Sequence, residues 1–348
     1  MTPDIMNPKS SALIQLTQAV STDGIANEKP DRKVHSRRRL WLWSIASIAL
    51  LLYVFSFVIN RTPSLFDVRT HIENSGSGST VSGAATTGVV IKIVDTLLNK
   101  TGGYISNDVT PPMVLLDNMP NWEFGALVEI RDAVRAMRND FSRAKSQSAE
   151  DSDLSAADTQ FHFDHTHWVL PATEDEFEKG RLALDNYLSR LQSGDAQFFP
   201  RADNLNFYLA TVEKRLGNLS QRLGESVREP FLRELISNYD NTPGTQTPTP
   251  WLEIDDVFFE ARGYAWALLH ILKAIEIDFA AVLKSKNADV LLQQIIHNLE
   301  NTQHMLLSPM IFNSTGFGVL TNHSLIMASY ISRANAAVID LRLQLTQG

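Results

Sequence analysis

Residues 263–272 read GYAWALLHIL and are apolar around almost the whole circumference of a helix. A helix that is apolar on all sides is buried among other elements rather than laid on a surface. We therefore expect this run to form the centre of a helical bundle, within a long helix that Asp255 caps and that ends near Lys284. A membrane span is disfavoured here, because three charged residues follow between 273 and 278 and each costs roughly 2.5–3.5 kcal/mol in mid-membrane.

Helical periodicity dominates the chain from Ala84 onward. Apolar side chains recur at intervals of three and four residues, which places them on one helix face. Thr173 and Glu176 have the spacing of a capping box at the start of one such helix. The sequence predicts an all-α domain over residues 84–348. Its helices, besides the central one, are expected near residues 84–100, 122–146, 173–194, 203–223, 287–306 and 323–345.

Two stretches interrupt this periodicity. Residues 101–121 contain Tyr104, Ile105 and further apolar side chains, so we expect them to pack over the bundle; a partner or ligand surface is the alternative. Residues 114–116 within this stretch favour a strand. Residues 238–250, NYDNTPGTQTPTP, are rich in proline and glycine and are typical of a surface loop.

Residues 40–59 read LWLWSIASIALLLYVFSFVI and carry no formal charge. At about 1.5 Å per residue, a helix of this length spans about 30 Å, the thickness of the hydrocarbon core of a bilayer. The run is longer than the apolar part of a signal peptide and lacks a small-residue cleavage site after it. It predicts a retained transmembrane anchor, with a buried helix of a soluble core as the alternative.

Basic residues are unequally distributed around this run. Five lie between residues 32 and 39, whereas Arg61 and Arg69 are the basic residues of the matching stretch on the other side. The positive-inside rule therefore places the N-terminus in the cytoplasm and the rest of the chain outside. We expect a disordered cytoplasmic tail over residues 1–39, an anchor over residues 40–60 and a flexible Gly/Ser-rich linker over residues 61–83.

Composition narrows the classes of protein. Of the 348 residues, 44% are apolar and 20% are charged, which fits one anchor and one globular body but is too polar for a multi-span transporter. Residues 40–348 contain 24 basic and 35 acidic side chains, a net charge of −11, which disfavours nucleic acid and anionic lipid head groups as partners. The chain has no cysteine, so disulfides, thiolate nucleophiles and Cys-ligated zinc are excluded.

Residues 161–168 read FHFDHTHW and contain four side chains of types that zinc accepts. They lack the spacing of a helical HExxH motif, and no further ligand is evident. A His-rich polar loop is the favoured interpretation, and a metal site is the alternative. The four side chains are His162, Asp164, His165 and His167.

A second polar group consists of His297, Glu300 and His304, which share one face of a predicted helix. The apolar residues of that helix lie on the opposite face. A solvated or partner-facing surface is therefore favoured over a metal site, and the sequence contains no Glu-x-x-His pair of the kind that di-iron bundles use.

A third group, Asp255, Asp256 and Glu260, could supply paired carboxylates for acid–base catalysis. Acidic residues are, however, common at helix N-termini because they interact favourably with the helix dipole. Two other patterns are weaker. The GxG at residues 316–318 favours a tight turn over a phosphate loop, and the adjacent His323 and Ser324 lack a nucleophile elbow. We assign no catalytic, cofactor-binding or metal-binding residue from these patterns.

Long phrases of the sequence resemble one bacterial family, the uncharacterised proteobacterial domain of unknown function 2333, over about residues 40–348. The resemblance implies a bacterial inner-membrane protein and brings no established activity, cofactor or site residues. The histidines of FHFDHTHW are not part of the family pattern. The resembling phrases are GGYISNDVTPPMVLLDNMPNWEFGALVEIRD, RADNLNFYLATVEKRLGNLSQRLGESV, PWLEIDDVFFEARGYAWALLHILKAIEIDFAAVLKSKNA and GFGVLTNHSLIMASYISRANAAVIDLR.

Taken with this resemblance, the sequence predicts a single-pass inner-membrane protein with a helical periplasmic domain, held in the lipid bilayer by residues 40–59. We expect a structural or interaction component of the cell envelope, with another envelope protein or a second copy as its partner and no nucleic acid. The alternative is a tethered periplasmic hydrolase or ligand-binding protein that uses residues near Asp255 or the histidines of residues 162–167. No cofactor is expected.

Overall fold

The computed structural model describes residues 32–59, 61–74, 81–109, 117–144, 148–225, 254–304 and 323–347. The chain divides into two compact units, of which one ends at Val54 and the other begins at Phe55. Every regular element in the described ranges is helical, which confirms the all-α prediction. A π-helical turn, Met137–Phe141, continues the fourth helix. The helices are α1 (Arg32–Ile59), α2 (Val68–Asn74), α3 (Ala84–Asn99), α4 (Asn118–Ala136), α5 (Ser152–Phe161), α6 (Thr173–Ser193), α7 (Ala202–Glu225), α8 (Ile254–Asp278), α9 (Ala280–Ser285), α10 (Asp289–Asn301) and α11 (His323–Thr346).

The helix α8 lies at the centre of the larger unit and packs against α3, α4 and α10. Residues 261–272 are buried without exception, which confirms the position predicted for the GYAWALLHIL run. Around this centre, α11 packs against α7 and α10, and α6 packs against α3 and α5. The core is therefore one continuous apolar cluster to which all these helices contribute.

The crossing of α4 and α8 requires glycine on both helices. A Cβ atom added to Gly125 would lie 2.0 Å from the carbonyl oxygen of Glu260, and one added to Gly263 would lie 1.9 Å from that of Trp122. Both distances are far below the contact distance of carbon and oxygen, so any larger residue would push the two backbones apart. The two glycines thus set how closely the central pair of helices approaches.

Two charged side chains of α8 cap the ends of neighbouring helices. Asp278 accepts hydrogen bonds from Gly83 N (2.9 Å), Thr86 N (2.7 Å) and Thr86 Oγ1 (2.6 Å) at the N-terminus of α3. Arg262 donates to the carbonyl oxygens of residues 302, 303 and 304, at 3.0–3.1 Å, just past the C-terminus of α10. Helix ends leave such backbone groups unsatisfied, and the two charges have the signs that the helix dipole favours.

The stretch predicted to be a flexible linker, residues 61–83, is partly packed. The Phe66 N–H donates to His270 Nε2 at 3.2 Å, and the two rings stack with their centroids 3.9 Å apart. The short helix α2 follows with two buried apolar side chains. The linker prediction is therefore wrong for residues 61–74, because its apolar residues find partners on α8. Residues 75–80, the Gly/Ser-rich part, lie outside the described residues.

The N-termini of α6, α8 and α4 differ from the predictions. Thr173 is not the N-cap of α6, since Ala172 holds that position and Thr173 Oγ1 donates to the carbonyl oxygens of Asp164 (2.8 Å) and His167 (3.0 Å). Asp255 lies in the first turn of α8 instead of capping it. The helix α4 begins at Asn118, four residues before the predicted start, and its π-helical continuation ends at Phe141.

Two further helical segments were not predicted from the sequence, and several other predictions concern residues that the structure does not describe. The helix α5, capped by Asp151, was not predicted. Residues 32–39 are helical, which corrects the prediction of a disordered tail for that part. The remaining predictions for the tail (residues 1–31), the strand (residues 114–116), the loop (residues 238–250) and the GxG (residues 316–318) lie outside the described residues.

The helix α1 contains the predicted membrane anchor. Ten of its large apolar side chains between Trp41 and Val58 are 44–72% exposed. Within the described residues, no helix is both long and apolar enough to cross a membrane. The transmembrane prediction for residues 40–59 is therefore not confirmed.

The first part of the 101–121 stretch packs on the bundle, as predicted. Tyr104 and Ile105 are buried, and the backbone N–H groups of Ile105 and Ser106 donate to the carboxylate of Glu123 at 2.8–3.1 Å. The same carboxylate pairs with Lys100 Nζ, and both side chains are almost completely buried. Burial raises the pKa of Glu123, and the Lys100 charge opposes that rise. Residues 110–116 lie outside the described residues.

We predict that Gly263→Ala destabilises the fold, because the new methyl group would collide with the α4 backbone. The loss should be about 1–3 kcal/mol or more, as for other overpacked cores. Gly88→Ala in α3 is the matched control, since a Cβ there meets nothing within 4 Å; it should stabilise the helix by about 0.5–1 kcal/mol. Urea unfolding of the purified full-length chain, followed by circular dichroism, measures both. Equal effects of the two substitutions would contradict the close crossing.

We also predict that Glu123→Ala costs about 3–5 kcal/mol of stability, because it leaves the Lys100 charge buried without its partner. Asp95→Ala is the control, since it removes the exposed ion pair of Lys92 and Asp95 (2.8 Å) on α3. Exposed pairs contribute about 0–1 kcal/mol. The denaturant midpoint should therefore be lower for Glu123→Ala than for Asp95→Ala. If Glu123→Ala lost no more stability than Asp95→Ala, the buried pair would not be a major stabiliser.

Candidate functional site

The histidines of residues 162–167 have separate partners. His162 Nδ1 lies 2.7 Å from the carbonyl oxygen of Asp158 and 3.2 Å from its carboxylate. The His165 ring packs on Phe124, with centroids 5.0 Å apart, and burial lowers its pKa, as does nearby positive charge. His167 Nδ1 lies 2.9 Å from the carbonyl oxygen of Pro171. Among the described residues, no three or more His, Asp or Glu side chains form a group that could hold a metal ion.

His297 and Glu300 lie on the outer face of α10, as predicted, whereas His304 lies three residues beyond the end of this helix. The two histidines are exposed, and each has a ring nitrogen 3.2–3.3 Å from the side chain of Asn301. Glu300 forms an ion pair with Lys273 at 2.7 Å. The group is therefore part of a hydrated, ion-paired surface.

The carboxylates at the start of α8 are also held apart. Glu260 forms a two-pronged ion pair with Arg222, at 2.7 and 2.8 Å. Asp256 accepts a hydrogen bond from Asn121 at 2.7 Å. Burial raises the pKa of Asp255, and the neighbouring negative charge of Asp117 raises it further. Glu260 and Asp256 thus have separate partners.

The adjacent His323 and Ser324 begin α11. Ser324 is completely buried, and the His323 ring lies 6.5 Å from the ring of Phe258. Burial of the hydroxyl keeps it away from any substrate in solution. This arrangement does not favour a nucleophile at Ser324.

The strongest concentration of buried polar groups lies elsewhere, between α4, α7 and α8. Glu129 is fully buried, and the Tyr208 hydroxyl donates a hydrogen bond to its Oε1. The Tyr264 hydroxyl interacts with the same carboxyl, although neither it nor Glu129 Oε2 makes a hydrogen bond of normal geometry. Asp132, one turn along α4, forms a two-pronged ion pair with Arg215 at 2.7 and 3.2 Å. We refer to these five residues as the polar core cluster.

The charge state of Glu129 follows from this environment. Burial raises its pKa to about 8, and the negative charge of Asp132 adds to the rise. Arg215 opposes the rise, but it is committed to Asp132. The pKa values of Tyr208 and Tyr264 are raised well above their usual range by burial, so both hydroxyls remain protonated. The polar core cluster can therefore bind and release one proton near neutral pH.

The motifs of the sequence did not indicate this cluster. Glu129 lies seven residues after Trp122 and four before Ala133, so all three share one helix face, and the other two are buried. An acidic residue in the middle of an apolar stripe was therefore the pattern that could have identified it. The partners Tyr208 and Tyr264 lie 79 and 135 residues further along the chain, where spacing gives no information about contact.

Comparison with known protein families identifies a match. A family model described as an uncharacterized protein conserved in bacteria, DUF2333, matches residues 34–348. No curated protein and no solved structure matches the chain. The match confirms the resemblance inferred from the sequence phrases.

We predict that Glu129→Gln removes a pH dependence of stability. In the folded wild-type chain Glu129 keeps its proton up to about pH 8, whereas the unfolded chain releases it near pH 4.5. Folding thus takes up a proton between these values, so this contribution to stability is present at low pH and falls as the pH rises. The stability of the variant relative to wild type should increase by roughly 3–5 kcal/mol from pH 4.5 to 8.

Thermal and urea unfolding at a series of pH values measures this difference. Glu73→Gln, which removes an exposed carboxyl group on α2, serves as the control. A constant difference between Glu129→Gln and wild type over the whole range would show that Glu129 is ionised in the folded chain.

Proposed function

The chain belongs to the bacterial family DUF2333, and we propose that it is a single-pass inner-membrane protein whose helical body acts as a structural or interaction component of the cell envelope. The observation that carries this proposal is the surface of α1. Residues 40–59 carry no charge, and ten large apolar side chains between Trp41 and Val58 are 44–72% exposed. Exposure of so much apolar surface to water is unfavourable by about 25 cal/mol per Å², whereas a bilayer accommodates it.

The proposed orientation is based on charge. The basic residues of residues 32–39 precede the apolar run, and the positive-inside rule keeps such residues in the cytoplasm. The body from Phe55 onward then lies in the periplasm. Its excess of acidic side chains fits a soluble domain that does not bind nucleic acid.

An interaction role is favoured because side chains considered for catalysis or metal binding are used for internal contacts. Glu260 is paired with Arg222, Glu300 with Lys273, and Asp256 with Asn121. A tethered hydrolase, the alternative, would require such side chains to leave their present partners before they could act on a substrate. The proposed partner is another envelope protein or a second copy of the chain.

We predict that the double variant Ile48→Asp, Leu51→Asp releases the protein from membranes. Each aspartate in mid-membrane costs roughly 2.5–3.5 kcal/mol on insertion scales. The double variant Leu182→Asp, Leu343→Asp is the control, because both positions are about half exposed on helices of the body. After alkaline carbonate extraction, the wild type and the control should sediment with the membrane and the α1 variant should not. Wild-type protein in the soluble fraction would refute the anchor.

The orientation has its own test. Alkaline phosphatase fused after Gly348 should be active, because the enzyme folds only in the periplasm, and green fluorescent protein fused at the same site through the same export route should stay dark. Substituting the arginines at residues 37–39 with glutamate should reduce phosphatase activity, since it removes the charge bias. Fluorescence without phosphatase activity would place the body in the cytoplasm.

A further inference from the structure

Three consecutive apolar side chains project from the body at the loop between α5 and α6. Trp168, Val169 and Leu170 are 51%, 58% and 88% exposed. Residues 168–172, WVLPA, contain no charged or polar side chain apart from the indole N–H. We call residues 168–170 the apolar tip. Large apolar side chains that are exposed together typically mark a contact surface.

The base of this loop is firmly held. The backbone N–H and Oγ1 of Thr173 donate to the carbonyl oxygen of His167 at 3.2 and 3.0 Å, and Asn107 Nδ2 donates to the same oxygen at 3.2 Å. Arg131 of α4 donates to the carbonyl oxygens of Phe161 (2.6 Å) and Phe163 (3.0 Å), where the loop begins. The loop that bears the apolar tip is therefore hydrogen-bonded to the body on both sides of the tip, while the tip itself stays exposed.

A short series of contacts connects the tip to the end of α1. Ile59, the last residue of α1, is buried, and its Cγ2 atom would lie 3.1 Å from a Cβ atom at Gly102. Two residues later, the Tyr104 hydroxyl donates to the carbonyl oxygen of His165 at 3.0 Å. The segment 101–109 thus contacts both Ile59 and the loop that bears the tip.

Contacts with the body begin at the last residue of α1. Ile59 is buried, and seven residues later Phe66 is bound to His270 of α8. If residues 40–58 lie in a bilayer, the chain keeps Ile59 close to the membrane surface, and the segment 101–109 contacts Ile59.

We propose that the apolar tip, Trp168, Val169 and Leu170, inserts into the leaflet in which α1 ends, and so fixes the body on the membrane surface. This inference rests on the proposed function, because it requires α1 to span the bilayer. Tryptophan is enriched at membrane interfaces, and aliphatic side chains beside it add favourable transfer from water. Insertion depends on apolar contact instead of charge, so uncharged phosphatidylcholine vesicles are a sufficient membrane.

Single-cysteine labelling tests the inference in the full-length chain, which has no cysteine of its own. Leu170→Cys, labelled with the environment-sensitive dye NBD, reports on the tip after reconstitution into phosphatidylcholine vesicles. Leu182→Cys on α6, also exposed, is the control on the body. Leu50→Cys reports independently whether α1 is in the bilayer. A nitroxide attached to the lipid chains and aqueous iodide are the two quenchers.

We expect the label at Leu170 to lose emission to the lipid nitroxide and to be protected from iodide, as the label at Leu50 is. The label at Leu182 should show the opposite behaviour. A label at Leu170 that iodide quenches, with Leu50 in lipid, would overturn the inference and leave the anchor intact. Iodide quenching at both positions would overturn both. Specific cross-linking of unlabelled Leu170→Cys between chains would assign the tip to a second copy and also overturn the inference.

Discussion

At the crossing of α4 and α8, Gly125 faces the backbone at Glu260 and Gly263 faces the backbone at Trp122, with no space for a Cβ atom on either side. Because the two helices meet backbone to backbone, the side chains that flank the crossing are brought into the same layer. Glu123 and Glu129 of α4 therefore lie deep in the body, and each must find polar partners there. The ion pair with Lys100 and the hydrogen bond from Tyr208 meet this requirement.

The central helix α8 organises its neighbours through charges as well as through apolar packing. Asp278 at one end satisfies the first N–H groups of α3, Arg262 near the other end satisfies carbonyl groups beyond α10, and His270 between them binds the chain at Phe66. Burial lowers the pKa of His270 to about 4, so it is neutral and can accept the Phe66 hydrogen bond. One helix thus fixes the ends of two others and the segment that follows α1.

The spacing of residues in the sequence did not predict which polar side chains meet in the folded protein. The histidines of residues 162–167 are zinc-binding residue types that lie close together in the sequence, but in the structure each contacts a different partner. The polar core cluster, in contrast, unites α4, α7 and α8, and its only local trace is Glu129 within an apolar stripe. Convergence of distant side chains is a property of the packed helices, and no pattern within one segment specifies it.

The sequence by itself determined the all-α class, the central position of residues 263–272 and the outward face of α10, because helical periodicity and the distribution of apolar residues are local properties. It also determined the family, through long phrases that the family model matches. Only the tertiary structure decided that Phe66 binds His270, 204 residues away, and that residues 61–74 are packed instead of a free linker. It likewise decided which glycines face the backbone of a neighbouring helix and which charges are buried. The physical reason is that these features depend on contacts between segments far apart in the chain, and such contacts form only when the helices pack.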